Sequence, residues 1–221
     1  LVENGAEVNA KNVSERTALV LAAENGDERL AKFLVEHGAD VNEICLFDAQ
    51  KVGLANEVNE EMDIFMLCSF GMAQQVKERL EKQPDSVNLK DPYGNTLLHC
   101  SSNNNITNVL INKGVKINSK NIDGVTPLHV AAARGDTGSV LLMIKHGANV
   151  NSKDKKGMTA LHYVTKKDIA ILLISAGANC DTVSNDGSTA LHVFVTRNLR
   201  ELVGLMLKQD VDTTIKNNKG Q

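Results

Sequence analysis

The sequence predicts an all-α solenoid in which short helix–turn–helix units stack on one another. A phrase of the form Gly-x-Thr-x-Leu-His recurs at a nearly constant interval, and a second phrase built on Gly-Ala-Asp or Gly-Ala-Asn recurs in step with it. Between the phrases, apolar residues follow the spacing of a helix face. A fixed period of this kind is typical of repeat architectures, in which each unit buries its apolar side against its neighbours.

The first phrase marks the beginning of each unit. Its leading glycines are 30, 33 and 30 residues apart, and Gly220 follows 33 residues after the last of them. The second phrase marks the end of a unit, at residues 36–42, 145–151 and 175–179. The first phrase occurs as Gly94-Asn-Thr-Leu-Leu-His99, Gly124-Val-Thr-Pro-Leu-His129, Gly157-Met-Thr-Ala-Leu-His162 and Gly187-Ser-Thr-Ala-Leu-His192. Because the two phrases keep register over most of the chain, we interpret it as a series of equivalent units.

Two helices fit between the phrases of each unit. In the unit that contains Gly124, residues 128–132 place apolar side chains on one face of a first helix, and residues 140–144 do the same for a second helix. Gly147 is expected to close the second helix in the left-handed conformation. Asp, Asn and Gly cluster at residues 121–124 and 184–187, which predicts turns between units.

These phrases resemble the ankyrin repeat, whose signature is Thr-Pro-Leu-His in a period of about 33 residues. The resemblance covers nearly all of the chain and implies an all-α ankyrin-repeat solenoid with hairpin-like loops between the helix pairs. We expect a single domain spanning residues 1–221. Its expected parts are a partial unit at 1–12, units at about 13–43, 61–90, 91–120, 121–153, 154–184 and 185–217, and the start of a further unit at 218–221.

The chain departs from the regular period in two ways. About a dozen extra residues, at 44–60, fall between the units at 13–43 and 61–90. They are interpreted either as a recognition loop or as a tolerated surface insertion, since loop closure costs little more as a loop lengthens. The units that begin near Gly94 and Gly157 are each three residues short, about one helical turn. We predict that the first helix or its following turn is clipped in these two units, which makes that surface uneven.

Composition excludes several classes of protein. The formal charge is −3, and no apolar run exceeds six residues, so we expect no membrane insertion by this segment. The four cysteines are too scattered for a disulfide framework, which favours reduced thiols in an intracellular, cytoplasmic protein. The chain begins at Leu1 and ends at Gln221 within a phrase, so we expect it to be a segment of a longer protein.

No catalytic or cofactor motif is present in the sequence, and we expect neither an enzyme nor a bound cofactor. The recurring histidines at 99, 129, 162 and 192 cannot share a metal ion, because stacked helices are separated by roughly 8–10 Å. The resemblance implies that each of them instead supports the loop beside it. It also raises the hypothesis that Asn42 and Asn151 are hydroxylated, as in some ankyrin proteins.

The resemblance further implies that a partner protein binds on a concave face made by the first helices and the hairpin tips. The tips precede the glycines and contain Pro92, Tyr93, Ile122, Asp123, Lys155, Lys156, Asn185 and Asp186. The ends of the first helices contain Glu24, Asn25, Ser69, Phe70, Ala133, Arg134, Thr196 and Arg197. For Phe70 two alternatives stay open, an exposed anchor for the partner or packing against the adjacent first helix.

Charge is unevenly distributed along the chain. Residues 1–63 hold 14 acidic and 5 basic residues, whereas residues 113–167 hold 3 acidic and 10 basic residues. A partner protein with an acidic segment would be attracted to the later units. The alternative is that the lysines serve only solubility. Nucleic acid is a poor candidate, because few aromatic residues interleave the basic ones and the net charge is negative.

We therefore expect a non-catalytic protein–protein interaction module that recruits, masks or anchors a partner protein. The alternative is a regulatory or anchoring ankyrin segment of a larger enzyme, for example a patatin-type phospholipase, or of an ion channel. A hydrolase motif or apolar spans elsewhere in the full-length chain would favour that alternative.

Overall fold

The computed structural model describes residues 7–14, 16–40 and 63–221. The chain divides into two compact bodies, an N-terminal body (Leu1–Phe70) and a C-terminal body (Gly71–Gln221). The described residues form helices and no strand beyond an isolated bridge between Lys90 and Thr96. The predicted all-α class is therefore confirmed. The expected insertion at 44–60 and Asn42 lie outside the described residues.

The N-terminal body contains α1 (Ala18–Glu24), α2 (Glu28–Glu36) and α3 (Ile64–Phe70) among its described residues. Helix α1 begins after Thr17, whose hydroxyl accepts a hydrogen bond from a backbone N–H in the first turn, and α2 begins after Asp27, whose carboxylate does the same. Leu19 and Ala31 are fully buried in this body. The two helices thus form a packed pair with satisfied N-termini.

The C-terminal body is a stack of helix pairs in two layers. The first helices of successive pairs contact one another, and so do the second helices. The first helices are α5 (Leu97–Cys100), α7 (Pro127–Arg134), α9 (Ala160–Tyr163) and α11 (Ala190–Thr196). The second helices are α4 (Ala73–Lys82), α6 (Asn104–Asn112), α8 (Thr137–Lys145), α10 (Lys167–Ser175) and α12 (Arg200–Met206), and a 3₁₀ turn (Pro84–Asn88) follows α4. Each pair therefore buries its apolar side against the pairs before and after it.

The prediction of two clipped units is confirmed. Helices α5 and α9 have only four residues each, whereas α7 has eight and α11 has seven. The residues that follow the short helices, Ser101 and Val164, leave the helical conformation with ψ of 120° and 138°. The loss of three residues thus shortens a first helix at its C-terminal end. The repeated phrases before and after that helix keep their register.

Each recurring histidine joins its own repeat to the next one. In α7, the ring Nδ1 of His129 accepts a hydrogen bond from the Thr126 backbone N–H at 3.2 Å, and Nε2–H donates to the Met158 carbonyl oxygen at 3.1 Å. The Thr126 hydroxyl accepts from the backbone N–H of His129, which completes a capping box with histidine in the place of the usual Glu or Gln. The expectation that this histidine supports the loop beside it is confirmed, and the loop of the following repeat is bound as well.

The same pattern recurs along the C-terminal body. The Nε2 atoms of His99, His162 and His192 lie 3.0, 3.3 and 3.0 Å from carbonyl oxygens of the following repeat. Because a backbone N–H can only donate, Nδ1 must be the acceptor and the neutral ring carries its proton on Nε2. Burial lowers the pKa of His99, His129 and His162, which favours this neutral form.

Acidification is expected to destabilise the C-terminal body. Since the pKa of these three histidines lies below the ordinary value of 6.5, the unfolded chain binds protons that the folded chain excludes. Their contribution to stability is therefore fully present above about pH 6.5 and is lost as the pH falls towards the lowered folded pKa values. Urea unfolding followed by circular dichroism should show a lower midpoint at pH 5.5 than at pH 7.5. Equal midpoints would contradict this assignment.

A second set of joints uses asparagine side chains in the loops that follow the second helices. The Asn118 amide donates to the Gly147 carbonyl oxygen at 3.0 Å and accepts from the Asn149 backbone N–H at 2.8 Å. Asn151 makes the same two bonds to Gly177 and Asn179, at 2.9 and 2.8 Å. One amide thus binds both a donor and an acceptor of the next repeat.

None of the helices in the described ranges has the length and apolar character that crossing a membrane requires. Cys68 is fully buried, as expected for a core thiol, whereas Cys100 at the end of the clipped helix α5 is only half-buried.

Candidate functional site

The hairpin tips of the C-terminal body form a hydrogen-bonded row. In the tips that begin at residues 122, 155, 185 and 218, the first residue donates its backbone N–H to the carbonyl oxygen of the second residue of the preceding tip. The bonds run from Ile122 to Tyr93 at 3.0 Å, from Lys155 to Asp123 at 2.8 Å, from Asn185 to Lys156 at 2.8 Å and from Asn218 to Asp186 at 2.9 Å. The tips therefore present their side chains at regular intervals.

Side-chain acceptors shape each tip from within. The Oδ1 atom of Asp154 accepts the backbone N–H groups of Lys156 and Met158, at 2.8 and 2.9 Å. Asp91, Asn121 and Asn217 hold their own tips in the same way. This is the turn chemistry that Asx residues favour.

Where a tip is followed by another tip, two constraints require glycine after it. Gly124 has a φ of +74°, a region that other residues rarely adopt, and an added Cβ would lie 3.0 Å from the backbone nitrogen of Lys155. At Gly157 a Cβ would lie 3.0 Å from the backbone nitrogen of Asn185. The glycines of the first phrase thus allow one tip to approach the next.

The last three tips and α11 enclose a basic cavity of about 450 Å³. Its lining includes four cationic side chains and one carboxylate, that of Asp186. Within the described part of the chain, none of the four cationic side chains forms an ion pair or a side-chain hydrogen bond. The four are Lys155, Lys156, Arg197 and Lys219.

The single carboxylate of the basic cavity is already bound. Asp186 Oδ1 accepts from the Ser184 hydroxyl at 2.5 Å and from the Ser188 backbone N–H at 3.2 Å. The hydrogen bond from Ser184 is the main cause that lowers the pKa of Asp186, so this carboxylate stays ionised. Four positive charges against one negative charge leave the cavity with an excess of positive charge, which attracts anionic groups.

Other lysines of this body are engaged, in contrast to those of the basic cavity. Lys120 Nζ donates to the Lys153 carbonyl oxygen at 2.7 Å, and Lys153 Nζ donates to the Val183 carbonyl oxygen at 3.1 Å. These side chains join neighbouring repeats, and their charges are partly satisfied by carbonyl dipoles. Lysines that serve the fold are thereby distinguished from lysines that are available to a partner.

A second depression, which we call the notch, lies beside the clipped helix α9. It has a volume of about 310 Å³ and is lined by Val130, Ala133 and Arg134 of α7, by His129, by Val125 and by Tyr163. Tyr163 is the last residue of α9, so the notch occupies the space next to the missing helical turn. The Tyr163 hydroxyl donates to Asp154 Oδ2 at 2.5 Å, and its ring meets His129 edge-on with centroids 5.8 Å apart.

Two cations bridge repeats next to the clipped helices. Arg134 donates from Nη1 to the Ser101 carbonyl oxygen at 2.7 Å, where α5 ends early. Lys166, which follows the end of α9, donates from Nζ to the Gly135 carbonyl oxygen at 2.7 Å. Arg134 was predicted from sequence as a partner-binding residue. It has a structural contact in addition, and its guanidinium is held at the rim of the notch.

The structure brings together eight of the predicted partner-binding residues in these two depressions. Lys155, Lys156, Asn185, Asp186, Thr196 and Arg197 line the basic cavity, and Ala133 and Arg134 line the notch. Four others lie further along the row of tips. There the Tyr93 and Ile122 side chains are 66% and 52% exposed, next to exposed Pro92 and Asp123.

The remaining four predicted residues lie in the N-terminal body. Glu24 ends α1 and forms an ion pair with Arg16 at 2.7 Å, and Asn25 caps that helix. Ser69 donates to the Phe65 carbonyl oxygen within α3, and Phe70, the last residue of α3, is 37% exposed. Their role in binding stays a prediction, as does that of the other twelve.

Lys219 and Tyr163 are among the lining residues that sequence reasoning missed. Lys219 belongs to a tip that precedes Gly220, so the rule that found the other tips would also have found it. Tyr163 follows the repeated histidine at the end of a short helix, and the three-residue gap was the signal that its surroundings differ. Across the described residues, no group of three or more His, Cys, Asp or Glu side chains could hold a metal ion.

Asn151 is exposed, but its side-chain amide is bound on both sides by the joint to Gly177 and Asn179. Hydroxylation of this asparagine stays an untested hypothesis.

Comparison with known proteins identifies the repeat. A family model for three copies of the ankyrin repeat matches residues 64–154 and 137–217, and a single-repeat model matches residues 14–45. An ankyrin repeat protein of fowlpox virus (strain NVSL) is 32% identical over 136 residues, which are 61% of this chain and 16% of that protein. Inversin from dog is 31% identical over 143 residues, 63% of this chain and 12% of inversin, and human inversin is 30% identical over the same length.

The chain spans less than a fifth of the length of each of these relatives. The family models, in contrast, cover well over half of the chain. The chain therefore belongs to the ankyrin repeat family, whose members generally act as protein–protein interaction modules.

Proposed function

We propose that this chain is a non-catalytic module that recruits, masks or anchors a partner protein, and that an acidic segment of the partner binds over the basic cavity. The observation that carries the proposal is that four cationic side chains converge on one depression and none of them forms an ion pair with another described residue. A surface charge without a partner contributes little to folding, whereas several of one sign in a concavity raise the local potential.

The place of the basic cavity in the fold supports binding to a protein segment. It is bounded by three tips that are fixed by backbone hydrogen bonds and by the end of α11. A binding surface built on such a fixed frame loses little conformational entropy when a partner docks. The depth and the polar rim suit an extended chain whose carboxylates reach the lysines and whose backbone follows the tips.

The proposal includes a single array of repeats over residues 1–221. It also includes an intracellular, cytoplasmic setting, because the scattered cysteines favour reduced thiols. It excludes nucleic acid, because the cavity lining holds no aromatic side chain besides His192 on which bases could stack.

A second candidate is a regulatory or anchoring segment of a larger enzyme or ion channel, which would bind its own chain. The full-length chain decides between the two candidates: a hydrolase motif or membrane spans support the second.

Charge reversal in the basic cavity is expected to weaken binding of an acidic segment. The probe is a fluorescein-labelled peptide with four glutamates separated by serine and glycine, and its affinity is measured by fluorescence anisotropy in 50 mM salt. The Lys155→Glu/Lys156→Glu variant should raise Kd by about tenfold or more, because two attractions become repulsions. Raising the salt to 300 mM should weaken binding to the unaltered protein.

The matched control is Lys145→Glu/Lys208→Glu, which makes the same change of net charge at exposed lysines outside the cavity lining. It should alter Kd by less than the cavity variant does. If both variants weaken binding equally, the attraction is only a property of net charge and the proposed site is wrong.

A further inference from the structure

We propose that Tyr163 is a positioning residue for partner binding, and that it acts by fixing the tip that carries Lys155 and Lys156. This inference rests on the proposed function and deepens it, because it names the side chain that holds the basic cavity in its binding conformation. The connection between the tyrosine and the tip runs through one buried carboxylate, that of Asp154.

The two carboxylate oxygens of Asp154 have separate tasks. Oδ1 accepts the backbone N–H groups of Lys156 and Met158, at 2.8 and 2.9 Å, and so shapes the tip. Oδ2 accepts from the Tyr163 hydroxyl at 2.5 Å. Lys155, Lys156 and Met158 line the basic cavity, whereas Tyr163 does not. The tyrosine therefore reaches the lining of that cavity through two successive hydrogen bonds.

Asp154 needs the donor that Tyr163 provides. This aspartate is only 8% exposed, so its carboxylate is largely removed from water, and a buried carboxylate oxygen without a donor is costly. Without the hydroxyl, we expect Oδ2 to turn towards another donor, and any such turn loosens Oδ1 from Lys156 and Met158. Lys155, the next residue in the sequence, is a cation that can replace the hydroxyl, and its charge would then be lost to a partner.

The Tyr163 side chain is itself held in place. It is half-buried, and its ring meets that of His129 in the preceding repeat edge-on, with centroids 5.8 Å apart. Burial, followed by the hydrogen bond to Asp154, raises the pKa of Tyr163, so the phenol keeps the proton that it donates. A donor of fixed orientation is what a residue that supports a binding site requires.

The sequence of the C-terminal body offers this hydroxyl in one repeat. The residue that follows the recurring histidine is Cys100, Val130 or Val193 in the other repeats, and none of these side chains has a hydroxyl. In the preceding tip, Asn121 instead binds Asn95 through its side-chain nitrogen, at 2.9 Å. The tip with two lysines is thus the one that is held by a tyrosine at the end of a first helix.

The test removes only the hydroxyl. Tyr163→Phe keeps the ring against His129 and should raise the Kd of the acidic probe described above about fivefold, the size expected when one ordering hydrogen bond is lost. Hydrogen exchange measured by NMR should become about tenfold faster at the Lys156 and Met158 amides, because their acceptor is no longer fixed. Thermal unfolding verifies that the variant folds.

Tyr93→Phe is the matched control, because it makes the same chemical change at a tyrosine that is 66% exposed and lies outside the cavity lining. It should leave the Kd of the probe unchanged. Within the Tyr163→Phe variant, the amides of Asp123 and Val125 serve as internal controls. Both donate to Asn121 Oδ1 in the preceding tip, so their exchange should not change.

A double-mutant cycle tests whether Tyr163 acts through the two lysines. In the Lys155→Ala/Lys156→Ala background, Tyr163→Phe should change Kd by less than about twofold, because the side chains that it positions are gone. The same fold-change in both backgrounds overturns the positioning role.

The unaltered protein provides a further measurement if Tyr163→Phe does not fold. The Lys156 amide should exchange more slowly than the Tyr93 and Asp123 amides, which donate to the equivalent acceptors of tips without such a tyrosine. Equal or faster exchange at Lys156 overturns the inference.

The outcomes separate this inference from the proposed function. A Tyr163→Phe variant with lower thermal stability but an unchanged Kd shows that the hydroxyl serves only the fold. That result overturns the inference and leaves the acidic-segment site standing. Binding that is insensitive to Lys155→Glu/Lys156→Glu, or no binding to the unaltered protein, overturns the proposed function and this inference with it.

Discussion

Replacing Gly124 with alanine is expected to lower the free energy of unfolding of the C-terminal body by about 3 kcal/mol. One part of the loss is the cost of placing an L-residue at a φ of +74°. The other part is steric, because the new Cβ would meet the backbone nitrogen of Lys155 at 3.0 Å and the backbone of Asp154 at 3.3 Å. These are backbone atoms of the next tip and cannot rotate away, so the row of tips itself must shift.

Gly147→Ala is the matched control for this effect. Gly147 has a φ of +87°, but nothing lies within 4 Å of an added Cβ. The Gly147→Ala variant should therefore lose only the conformational part of the free energy of unfolding, about 1 kcal/mol. Chemical denaturation of both variants measures the difference, and equal losses would show that the contact between tips contributes no constraint. We further expect Gly124→Ala to weaken binding of the acidic probe, because this variant displaces Lys155. Gly147→Ala should leave that binding unchanged.

Replacing His129 with alanine is expected to lower the free energy of unfolding of the C-terminal body by about 3 kcal/mol or more. The change removes the acceptor for the Thr126 N–H, the donor for the Met158 carbonyl oxygen and the edge contact with Tyr163. The buried Thr126 N–H is then left without its acceptor, which costs about 1–3 kcal/mol, and the space left by the ring adds to the loss. The Met158 carbonyl oxygen loses one bond but still accepts from the Asp154 N–H at 2.9 Å. Thermal and urea unfolding measure the loss.

His146→Ala serves as the comparison for this variant. His146 caps the end of α8 and is exposed, so its removal should change the unfolding free energy by less than about 0.5 kcal/mol. A loss at His129 no larger than this would show that the capping boxes and the bond to the next repeat are dispensable, and the pH dependence expected above would then have another cause.

Much of the fold could be predicted because the repeat itself carries the information. One phrase contains the turn glycine, the helix N-cap and the capping histidine, so recognising Gly124 to His129 fixes the start of a helix and the position of the tip before it. Gly147 adopts the left-handed conformation expected at a helix end. Pro84 lies two residues after Lys82, the last residue of α4, as a residue that cannot continue a helix does.

The shape of the candidate site was only partly accessible from the sequence. The three-residue gap predicted a clipped helix, but the neighbour exposed by it, and the resulting notch between Ala133 and Tyr163, depend on packing between repeats. The role of Arg134 depends on a rotamer that reaches Ser101, a residue 33 positions earlier. Likewise, the sequence shows many lysines, but only geometry separates Lys153, which binds a carbonyl oxygen, from Lys155, which does not.

The asparagine joints carry a consequence for how such an array can change over time. Asn118 and Asn151 use identical atoms to bind equivalent groups of the following repeat, Gly147 and Gly177. A genetic duplication or excision of one whole period would therefore recreate a matching donor and acceptor at the new boundary. Lineages can lengthen or shorten the chain by one whole repeat, and the gap at α9 shows that a loss of three residues inside a helix pair also keeps the joint from Asn151 to Gly177 matched.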